Sequence, residues 1–325
     1  MNGIKIKGTG LAVPERSVTN QDLTKLVDTN EEWILSRTGI ETRQHLSEGE
    51  ELGPLMAEAA RKALDCAGIA PEEIGLCIVA TLTPDHLVPS SACYLQQALG
   101  LPTDIPCFDL NAACTGFLFA LHTAECLLNA SPRHYGLVLG AEQLSRVTNW
   151  EDRSTCILFG DAAAAVVVEC REGWPSLSAE LGCSGSTEIL SLPGVGSPAP
   201  SVIAMEGQKV FKFAVQAVPY CIDRVLERSG ASMEEIDFFV FHQANARIID
   251  LVVKKYHIPP EKYYKNIEHY GNTSSASIPL VLAELHADGR LHPGSRVLLV
   301  GFGGGLTWGG ALIELTAGGH HEETQ

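Results

Sequence analysis

The 325-residue sequence is poor in positive charge and in aromatic side chains, and it has no long apolar run. It contains 23 lysine and arginine residues against 39 aspartate and glutamate residues, so its net charge is −16. This balance argues against a nucleic-acid-binding protein, because such proteins carry a basic face. No apolar run approaches the roughly 20 residues of a membrane-spanning helix, and residues 1–7 alternate like a strand without a signal-peptide core. We therefore expect a cytoplasmic protein that binds neither nucleic acid nor a membrane.

Metal-binding patterns are also missing. The ten cysteines form neither a CxxC motif nor a cysteine–histidine zinc pattern. In a reducing compartment we expect them to be core thiols rather than disulfides. We predict no metal site, and we treat His320 and His321 as part of a disordered tail, residues 318–325.

The second half of the chain repeats the first. The aligned segments are 64–74 with 226–236, 76–80 with 238–242, 136–140 with 297–301, and 164–169 with 309–314. Each half reads strand–helix–strand–helix–strand–strand, which predicts an α/β protein of two pseudo-equivalent halves, 1–171 and 172–317. Each half should contain a mixed, mostly parallel sheet that is covered on both faces. Residues 182–200, rich in glycine and proline, should form a long surface excursion near the join.

Cys114 is the first candidate functional residue. It lies among small residues just before the apolar run 117–128, which has the length and composition of a buried helix. A cysteine in the first turn of that helix would face backbone N–H groups and the positive end of the helix dipole, and both favour the thiolate. The alternative is a structural cysteine, because free cysteines are among the most buried residues.

His242 and Asn272 are the next candidates. His242 follows an apolar strand, and functional groups in open α/β sheets collect beyond the carboxyl ends of strands. Asn272 begins a small, polar segment that opens a helix, and by the internal repeat this helix start is the counterpart of the one at Cys114. The repeat therefore predicts that the three residues share a site. The alternatives are a hydrogen-bonded core histidine and a simple N-cap asparagine.

A glycine-rich segment completes the set. Five glycines fall within residues 301–309 between two predicted strands. A phosphate-binding loop is disfavoured, because no helix follows and the segment has no lysine. A tight turn is one alternative. The other is an oxyanion hole, since glycines allow backbone N–H groups to point into a site.

Four motifs together resemble one family. They are Asn-Ala-Ala-Cys at 111–114, His-Gln-Ala-Asn-Ala-Arg at 242–247, Gly-Asn-Thr-Ser at 271–274 and Gly-Phe-Gly-Gly-Gly at 301–305. The chain is similar to the β-ketoacyl-acyl carrier protein synthase III family, the condensing enzymes that initiate bacterial fatty-acid synthesis. Segments 32–34, 37–40 and 152–153 add to the likeness. The resemblance implies the thiolase fold, layered α-β-α-β-α, and no cofactor beyond a coenzyme A (CoA) thioester as substrate.

The resemblance also implies a two-step reaction. Cys114 takes an acyl group from acyl-CoA, malonyl-acyl carrier protein loses CO₂, and the resulting enolate attacks the acyl group. His242 and Asn272 would donate hydrogen bonds to the enolate. The backbone N–H groups of Cys114 and Gly304 would form the oxyanion hole. The implied partners are acyl-CoA, malonyl-acyl carrier protein and a second copy of the chain.

Binding residues follow from the same resemblance. Trp33 and Arg153 would sandwich the CoA adenine, with Arg37 near its phosphates; the alternatives are a half-buried anchor for Trp33 and surface ion pairs for the arginines. The implied pantetheine tunnel is lined by Gly207, Phe211, Ala244 and Asn245, whereas a Gln208 in place of the usual asparagine leaves that contact open.

Two further sets concern the acyl group and the carrier protein. Phe302 and Val88 would border the acyl pocket, with Val88 reaching across a dimer interface where the family often has an aromatic residue. The smaller Val88 would admit a longer or branched acyl group. Arg247 and Lys254 lie seven residues apart and so share a helix face. With Lys212 and Lys255 they would dock the acidic carrier protein.

Three other functions stay open at this point. A related condensing enzyme or acyltransferase of secondary metabolism would use the same triad to make a polyketide or quinolone starter unit. A non-enzymatic acyl-carrier interaction protein would need no intact triad. A cysteine hydrolase would use Cys114 and His242 to hydrolyse acyl-CoA without malonyl-carrier protein.

Overall fold

A computed structural model describes residues 2–318, within which strands and helices alternate along the chain. The strands are β1 Gly3–Ala12, β2 Ser17–Thr19, β3 Thr42–Gln44, β4 Ile74–Ala80, β5 Cys107–Leu110, β6 Tyr135–Glu142, β7 Ala162–Arg171, β8 Ser178–Ser186, β9 Leu190–Ser191, β10 Ala204–Met205, β11 Phe238–Phe241, β12 Arg296–Gly303 and β13 Gly305–Glu314. The α-helices are α1 Asn20–Leu23, α2 Glu31–Thr38, α3 Leu52–Ala67, α4 Ser91–Leu99, α5 Gly116–Leu128, α6 Gly207–Ser229, α7 Ala246–Tyr256, α8 Ile267–Tyr270 and α9 Ser277–Ala287. Short 3₁₀ turns include Ala113–Thr115 before α5 and Ser274–Ala276 before α9.

Two sheets form the centre of the protein, and all strands of the first except β5 have a counterpart in the second. The first has the order β1-β7-β6-β4-β5, and the second has the order β11-β12-β13-β8. Strands β4, β6 and β7 occupy the places that β11, β12 and β13 occupy in the second sheet. The predicted internal repeat is therefore confirmed, but each half has more elements than predicted: α4, β5 and α5 lie between β4 and β6, and α7, α8 and α9 lie between β11 and β12.

The sheets are mixed, as expected, but parallel pairs do not predominate. In the first sheet β4 is parallel to β5 and β6, whereas β7 is antiparallel to both β6 and β1. In the second sheet only β11 and β12 are parallel. The prediction of mostly parallel sheets was wrong because the last strand of each half, β7 or β13, returns without a crossover helix, and such a connection gives an antiparallel pair.

Helices cover the sheets in the predicted five layers. Helices α3 and α4 pack on the outer face of the first sheet, α5 and α9 lie between the two sheets, and α6 and α7 pack on the outer face of the second sheet. The middle helices are apolar around their circumference, as a helix buried on both sides requires. Both middle helices begin at the same level of the fold, and the candidate site lies there.

Two local predictions need correction. The first part of residues 182–200 is not an excursion, because it belongs to the edge strand β8, whose residues pair with β13. The chain leaves the sheet after residue 186, and the short strands β9 and β10 pair with each other. The predicted helix after Thr19 is only one turn long, although Thr19 and Asp22 form the capping box that its sequence suggests.

The predicted disordered tail lies outside the described residues, apart from Gly318. No helix within residues 2–318 has both the length and the apolar composition to cross a membrane.

Candidate active site

Cys114 lies in the 3₁₀ turn that joins β5 to α5, two residues before the helix begins. The preceding residue, Ala113, has φ 46°, a left-handed conformation that residues with a side chain rarely adopt. The cysteine faces a cavity of about 630 Å³. The sequence thus predicted its position to within one turn, and the structure places it on this cavity rather than in the core.

The surroundings of the Cys114 sulfur act in opposite directions on its ionisation. Burial raises the pKa of the thiol to about 11, and the nearby Glu142 carboxylate also raises it. The polar donors nearby, the Ser274 hydroxyl and the backbone N–H groups of Cys114 and Gly304, act in the other direction and lower the pKa. The prediction that the helix start lowers this pKa was wrong, because the loss of solvent at this depth outweighs the donors.

His242 follows β11 and is 3% exposed, with its ring on the cavity. Its Nδ1 lies 2.6 Å from the hydroxyl of Ser277. That hydroxyl accepts a hydrogen bond from the Gln243 N–H, so its own proton is free to be donated to Nδ1. When Ser277 donates this hydrogen bond, the imidazole proton lies on Nε2, which makes that nitrogen a donor. Burial lowers the pKa of His242 to about 3, which keeps the ring neutral.

Two backbone hydrogen bonds hold Asn272 in place. Its N–H donates to the carbonyl of Leu158, and its carbonyl accepts from the N–H of Gly160. The side-chain Oδ1 accepts a hydrogen bond from the N–H of Ser274 at 2.9 Å. The Nδ2 amide group is therefore left as the donor for the cavity, which Asn272 lines.

The glycine-rich segment forms the tight connection between β12 and β13, next to Cys114. A Cβ on Gly303 would lie 2.9 Å from the backbone nitrogen of Cys114, so only glycine allows this approach. Because the N–H of Gly304 lowers the pKa of the Cys114 thiol, the segment is both a tight turn and a source of backbone donors.

Most predicted binding residues border the same cavity. Those that line it are Trp33, Arg37, Gly207, Phe211, Ala244, Asn245, Arg247 and Phe302. Gln208 lines it too. Arg153 does not, but its guanidinium lies 4.7 Å from the centre of the Trp33 ring. That spacing leaves no room for an adenine between the two side chains, so the pair must open to hold one.

The remaining predicted residues lie on the surface. Val88 is 86% exposed and is not part of the cavity of its own chain. Lys212, Lys254 and Lys255 are exposed on α6 and α7, and none of them lines the cavity. The guanidinium of Arg247 lies 5.6 Å from the Phe211 ring centre.

Sequence reasoning missed several residues of the site. Ser274 and Ser277 were treated only as part of a polar helix start, yet Ser277 lies against His242, and Ser274 donates to Glu142 and lowers the pKa of the Cys114 thiol. Glu142, at the end of an apolar strand, is fully buried beside the two turns. A charged residue at the end of such a strand was the available signal. Leu190 and Met205 from the β9–β10 pair also line the cavity.

Comparison with known proteins agrees with this geometry. Residues 108–185 match the model of 3-oxoacyl-[acyl-carrier-protein] synthase III, and residues 226–315 match the model of its C-terminal part. The β-ketoacyl-[acyl-carrier-protein] synthase III of Clostridium acetobutylicum is 44% identical over 326 residues, covering 97% of this chain and 100% of that protein. The chain belongs to this family. It is an acyltransferase of the condensing type.

Solved structures place the chain in the same family and fold. The synthase III crystal structure from Aquifex aeolicus matches with a TM-score of 0.89 and 42% identity, covering 96% of this chain and 100% of that one. The priming β-ketosynthase of the R1128 polyketide pathway has a TM-score of 0.91 but only 33% identity, with 98% of each chain covered. The higher identity to fatty-acid synthases means that the secondary-metabolism alternative is not favoured.

Proposed function

We propose that this condensing enzyme initiates fatty-acid synthesis with Cys114 as nucleophile and with His242 and Asn272 as the donors for an enolate. The observation that carries the proposal is the convergence of these three side chains on one cavity, with Nε2 of His242 and Nδ2 of Asn272 both left as donors. Two neutral donors beside a nucleophile suit a reaction that develops negative charge on oxygen.

In the first step the Cys114 sulfur attacks the carbonyl of an acyl-CoA, and CoA leaves. The tetrahedral intermediate carries an oxyanion close to the sulfur. The N–H groups of Cys114 and Gly304 are the proposed donors to this oxyanion, and their effect of lowering the pKa of the Cys114 thiol supports that role. Removing one such donor typically raises a barrier by about 3 kcal/mol.

In the second step malonyl-acyl carrier protein loses CO₂, and the resulting carbon attacks the acyl-Cys114. The products are β-ketoacyl-acyl carrier protein and the free enzyme. Because His242 stays neutral, its Nε2–H donates a hydrogen bond rather than a proton, and the enolate stays reactive. The two steps need no cofactor beyond the thioester substrate.

The mouth of the cavity suits the CoA and carrier-protein parts of the substrates. Trp33 and Arg153 would hold the adenine once their direct stacking opens, and Arg37 would lie near the phosphates. Asn245 ties the two sides of the mouth together, because its Nδ2 donates to the carbonyl of Arg37. Lys212, together with the basic residues of α7, would dock the acidic carrier protein.

A homodimer is the proposed assembly. Strand β5 is the edge strand of the first sheet, so one side of its backbone lacks a strand partner within the described residues. Leu87 and Val88 are exposed nearby, at 73% and 86%. An unpaired edge with apolar neighbours is a favourable surface for a second copy of the chain. In such a dimer Val88 would reach the acyl pocket of the partner, and we propose the cytoplasm as the location.

Intact-mass spectrometry with a panel of acyl-CoAs tests the function. We expect a stable acyl adduct on Cys114, absent in Cys114→Ala, that is released as a β-ketoacyl product only after malonyl-acyl carrier protein is added. Cys66→Ala is the matched control, because Cys66 is exposed and a hydrogen bond from His286 helps lower its pKa. An unmodified wild-type protein across the panel would contradict the proposal. Acyl-CoA hydrolysis without the malonyl substrate would favour the cysteine hydrolase.

A further inference from the structure

Glu142 is a buried acidic residue that neither reaction step uses. It is the last residue of β6, and it is 0% exposed. Its Oε2 accepts hydrogen bonds from the hydroxyl groups of Thr81 and Thr83 and from the N–H of Leu82, at 3.3, 2.7 and 3.1 Å. These three donors come from the loop that follows β4. They compensate the carboxylate for the water that it loses on burial, and they fix it to the first half.

The other carboxylate oxygen of Glu142 holds the turn before α9 in the second half. Its Oε1 accepts hydrogen bonds from the hydroxyl groups of Ser274 and Ser275, at 3.2 and 2.8 Å. Both oxygens of a carboxylate accept hydrogen bonds, whereas the amide of a glutamine has one acceptor and one donor group. Only the acidic side chain therefore accepts donors from both halves at once.

The turn that Glu142 holds also orients the side chain of Asn272. The N–H of Ser274 donates to Asn272 Oδ1 at 2.9 Å, while the hydroxyl of the same serine donates to Glu142. Ser274 thus connects the buried carboxylate to the asparagine amide. Because Oδ1 and Nδ2 belong to one planar group, fixing Oδ1 also fixes the direction in which Nδ2 donates.

The backbone of Asn272 does not depend on this turn. Its N–H and carbonyl are bonded to Leu158 and Gly160, on a separate segment of the chain. A loosened turn at Ser274 would therefore free the rotation of the Asn272 side chain and leave its main chain in place. The effect of Glu142 should thus fall on the direction of the amide group.

We propose that Glu142 is a positioning residue for condensation, which holds Ser274 and thereby keeps Nδ2 of Asn272 directed at the enolate. The proposal rests on the proposed role of Asn272 as a donor in the second step. Negative charge develops on the enolate only in that step. A misdirected donor should therefore slow condensation and have little effect on the acylation of Cys114.

Glu142→Gln tests the separation of the two steps. We expect kcat for condensation to fall about 10- to 10²-fold, because a displacement of about 1 Å at a reacting group has effects of this size. The KM for malonyl-acyl carrier protein and the rate of acylation by acyl-CoA should change less than about threefold, since neither depends on this donor. Quenched-flow intact mass follows acylation, and product formation follows condensation. Equal losses in the two steps would overturn the proposal.

Glu125→Gln is the matched control for removing a buried charge. Glu125 is 1% exposed and lies near the far end of α5, where its Oε1 accepts a hydrogen bond from the N–H of Leu177 at 2.6 Å. This variant should have a lower melting temperature but unchanged rates of both steps. A condensation loss as large as that of Glu142→Gln would mean that lost stability explains both variants, and it would overturn the proposal.

Ser274→Ala is a milder second variant that leaves the charge of Glu142 in place. It removes the hydroxyl and keeps the N–H that bonds to Asn272. Ser274 has φ 50°, and the equivalent residue of the first half, Ala113, is an alanine at φ 46°, so this backbone accepts alanine. Condensation should fall about tenfold, and more than acylation does. An unchanged condensation rate would contradict the connection through Ser274.

A double-mutant cycle tests whether Glu142 acts through Asn272. Adding Glu142→Gln to Asn272→Ala should lower the condensation rate no further, because the donor that Glu142 orients is already absent. Losses that multiply in the double variant would overturn the proposal.

NMR of protein labelled with ¹⁵N-asparagine provides a readout that needs no substrate. The side-chain amide signals of Asn272 are identified by their absence in Asn272→Ala. They should shift in Glu142→Gln and Ser274→Ala and stay in place in Glu125→Gln, and unchanged signals in the first two variants would overturn the proposal. A wild-type protein that accepts no acyl-CoA, with variants that show these shifts, would contradict the proposed function and leave the hold of Glu142 on Asn272 supported.

Discussion

The turn that carries Cys114 and the turn that follows Asn272 have the same backbone conformation but different side-chain chemistry. Each is a 3₁₀ turn before a helix between the sheets, and each begins with a left-handed residue, Ala113 or Ser274. In both turns an asparagine side chain two residues earlier, Asn111 or Asn272, accepts a hydrogen bond from the N–H of that residue, at 3.1 and 2.9 Å.

The two turns differ in burial and in what their side chains reach. Asn111 is exposed, whereas Asn272 is 7% exposed and lines the cavity. The nucleophile Cys114 occupies the place that Ser275 occupies in the second half. Duplication thus supplied two copies of a rigid, polar turn, and the difference in burial separated a nucleophile on one copy from hydrogen-bond donors on the other.

The largest expected effect comes from the two asparagines. Asn272→Ala should lower the condensation rate about 10²- to 10³-fold, because it removes one donor to the enolate. Acylation of Cys114 by acyl-CoA should persist, since Asn272 acts in the second step. Intact mass for the first step and product formation for the second separate the two effects.

Asn111→Ala is the control for losing the hydrogen bond that holds the turn. It removes the same hydrogen bond to the following backbone, at a cost of about 1 kcal/mol of stability, but it has no substrate donor to lose. Similar losses of condensation in both variants would mean that Asn272 acts only through the shape of its turn.

The next effect concerns Gly140 and Gly301, which occupy equivalent positions in β6 and β12. A Cβ on Gly140 would lie 2.1 Å from the carbonyl oxygen of Ser275, whereas a Cβ on Gly301 would lie 3.4 Å from the nearest atom, in Leu118. Gly140→Ala should lower the free energy of unfolding by about 3 kcal/mol or more, and Gly301→Ala by about 1 kcal/mol or less. Urea unfolding measures both, and equal losses would contradict a tighter contact in the first half.

The next expected effect is smaller and concerns His242. It is an effect on the pH dependence of folding stability rather than on a reaction rate. The equivalent of His242 at the end of β4 is Ala80, which does not titrate. Burial lowers the pKa of His242 to about 3, so between pH 3 and 6.5 the unfolded chain binds a proton that the folded chain does not. Stability must therefore fall as the pH decreases through this window.

The loss attributable to His242 between pH 6.5 and 5 is about 2 kcal/mol. His242→Gln should show a correspondingly smaller decrease in the free energy of unfolding over the same range, measured with urea. An unchanged pH dependence in this variant would mean that His242 is protonated in the folded state, and its assignment as a neutral donor would be wrong.

The sequence predicted the repeat, the layers and the three central residues, because apolar segments and strand ends are visible along the chain. It did not predict the hydrogen bonds from Ser274 and Ser275 to Glu142, since these join positions far apart in sequence. The raised pKa of Cys114 was missed for a similar reason. A dipole argument needs only the local helix, whereas the loss of solvent depends on how completely the two halves enclose the sulfur.

The smallest expected effect concerns the surface of the second half, where α7 differs in charge from α4 of the first half. Helix α4 follows β4 and carries no lysine or arginine, whereas α7 follows β11 and presents Arg247 and two lysines. Arg247→Glu should raise the KM for malonyl-acyl carrier protein roughly tenfold at low salt, about 1.4 kcal/mol. The increase should shrink at high salt, because exposed charges are screened there. Arg61→Glu makes an equal change of charge on α3 of the first half and should leave this KM unchanged. An increase of the KM in both variants would mean that the net charge of −16 governs carrier binding, and not the face of α7.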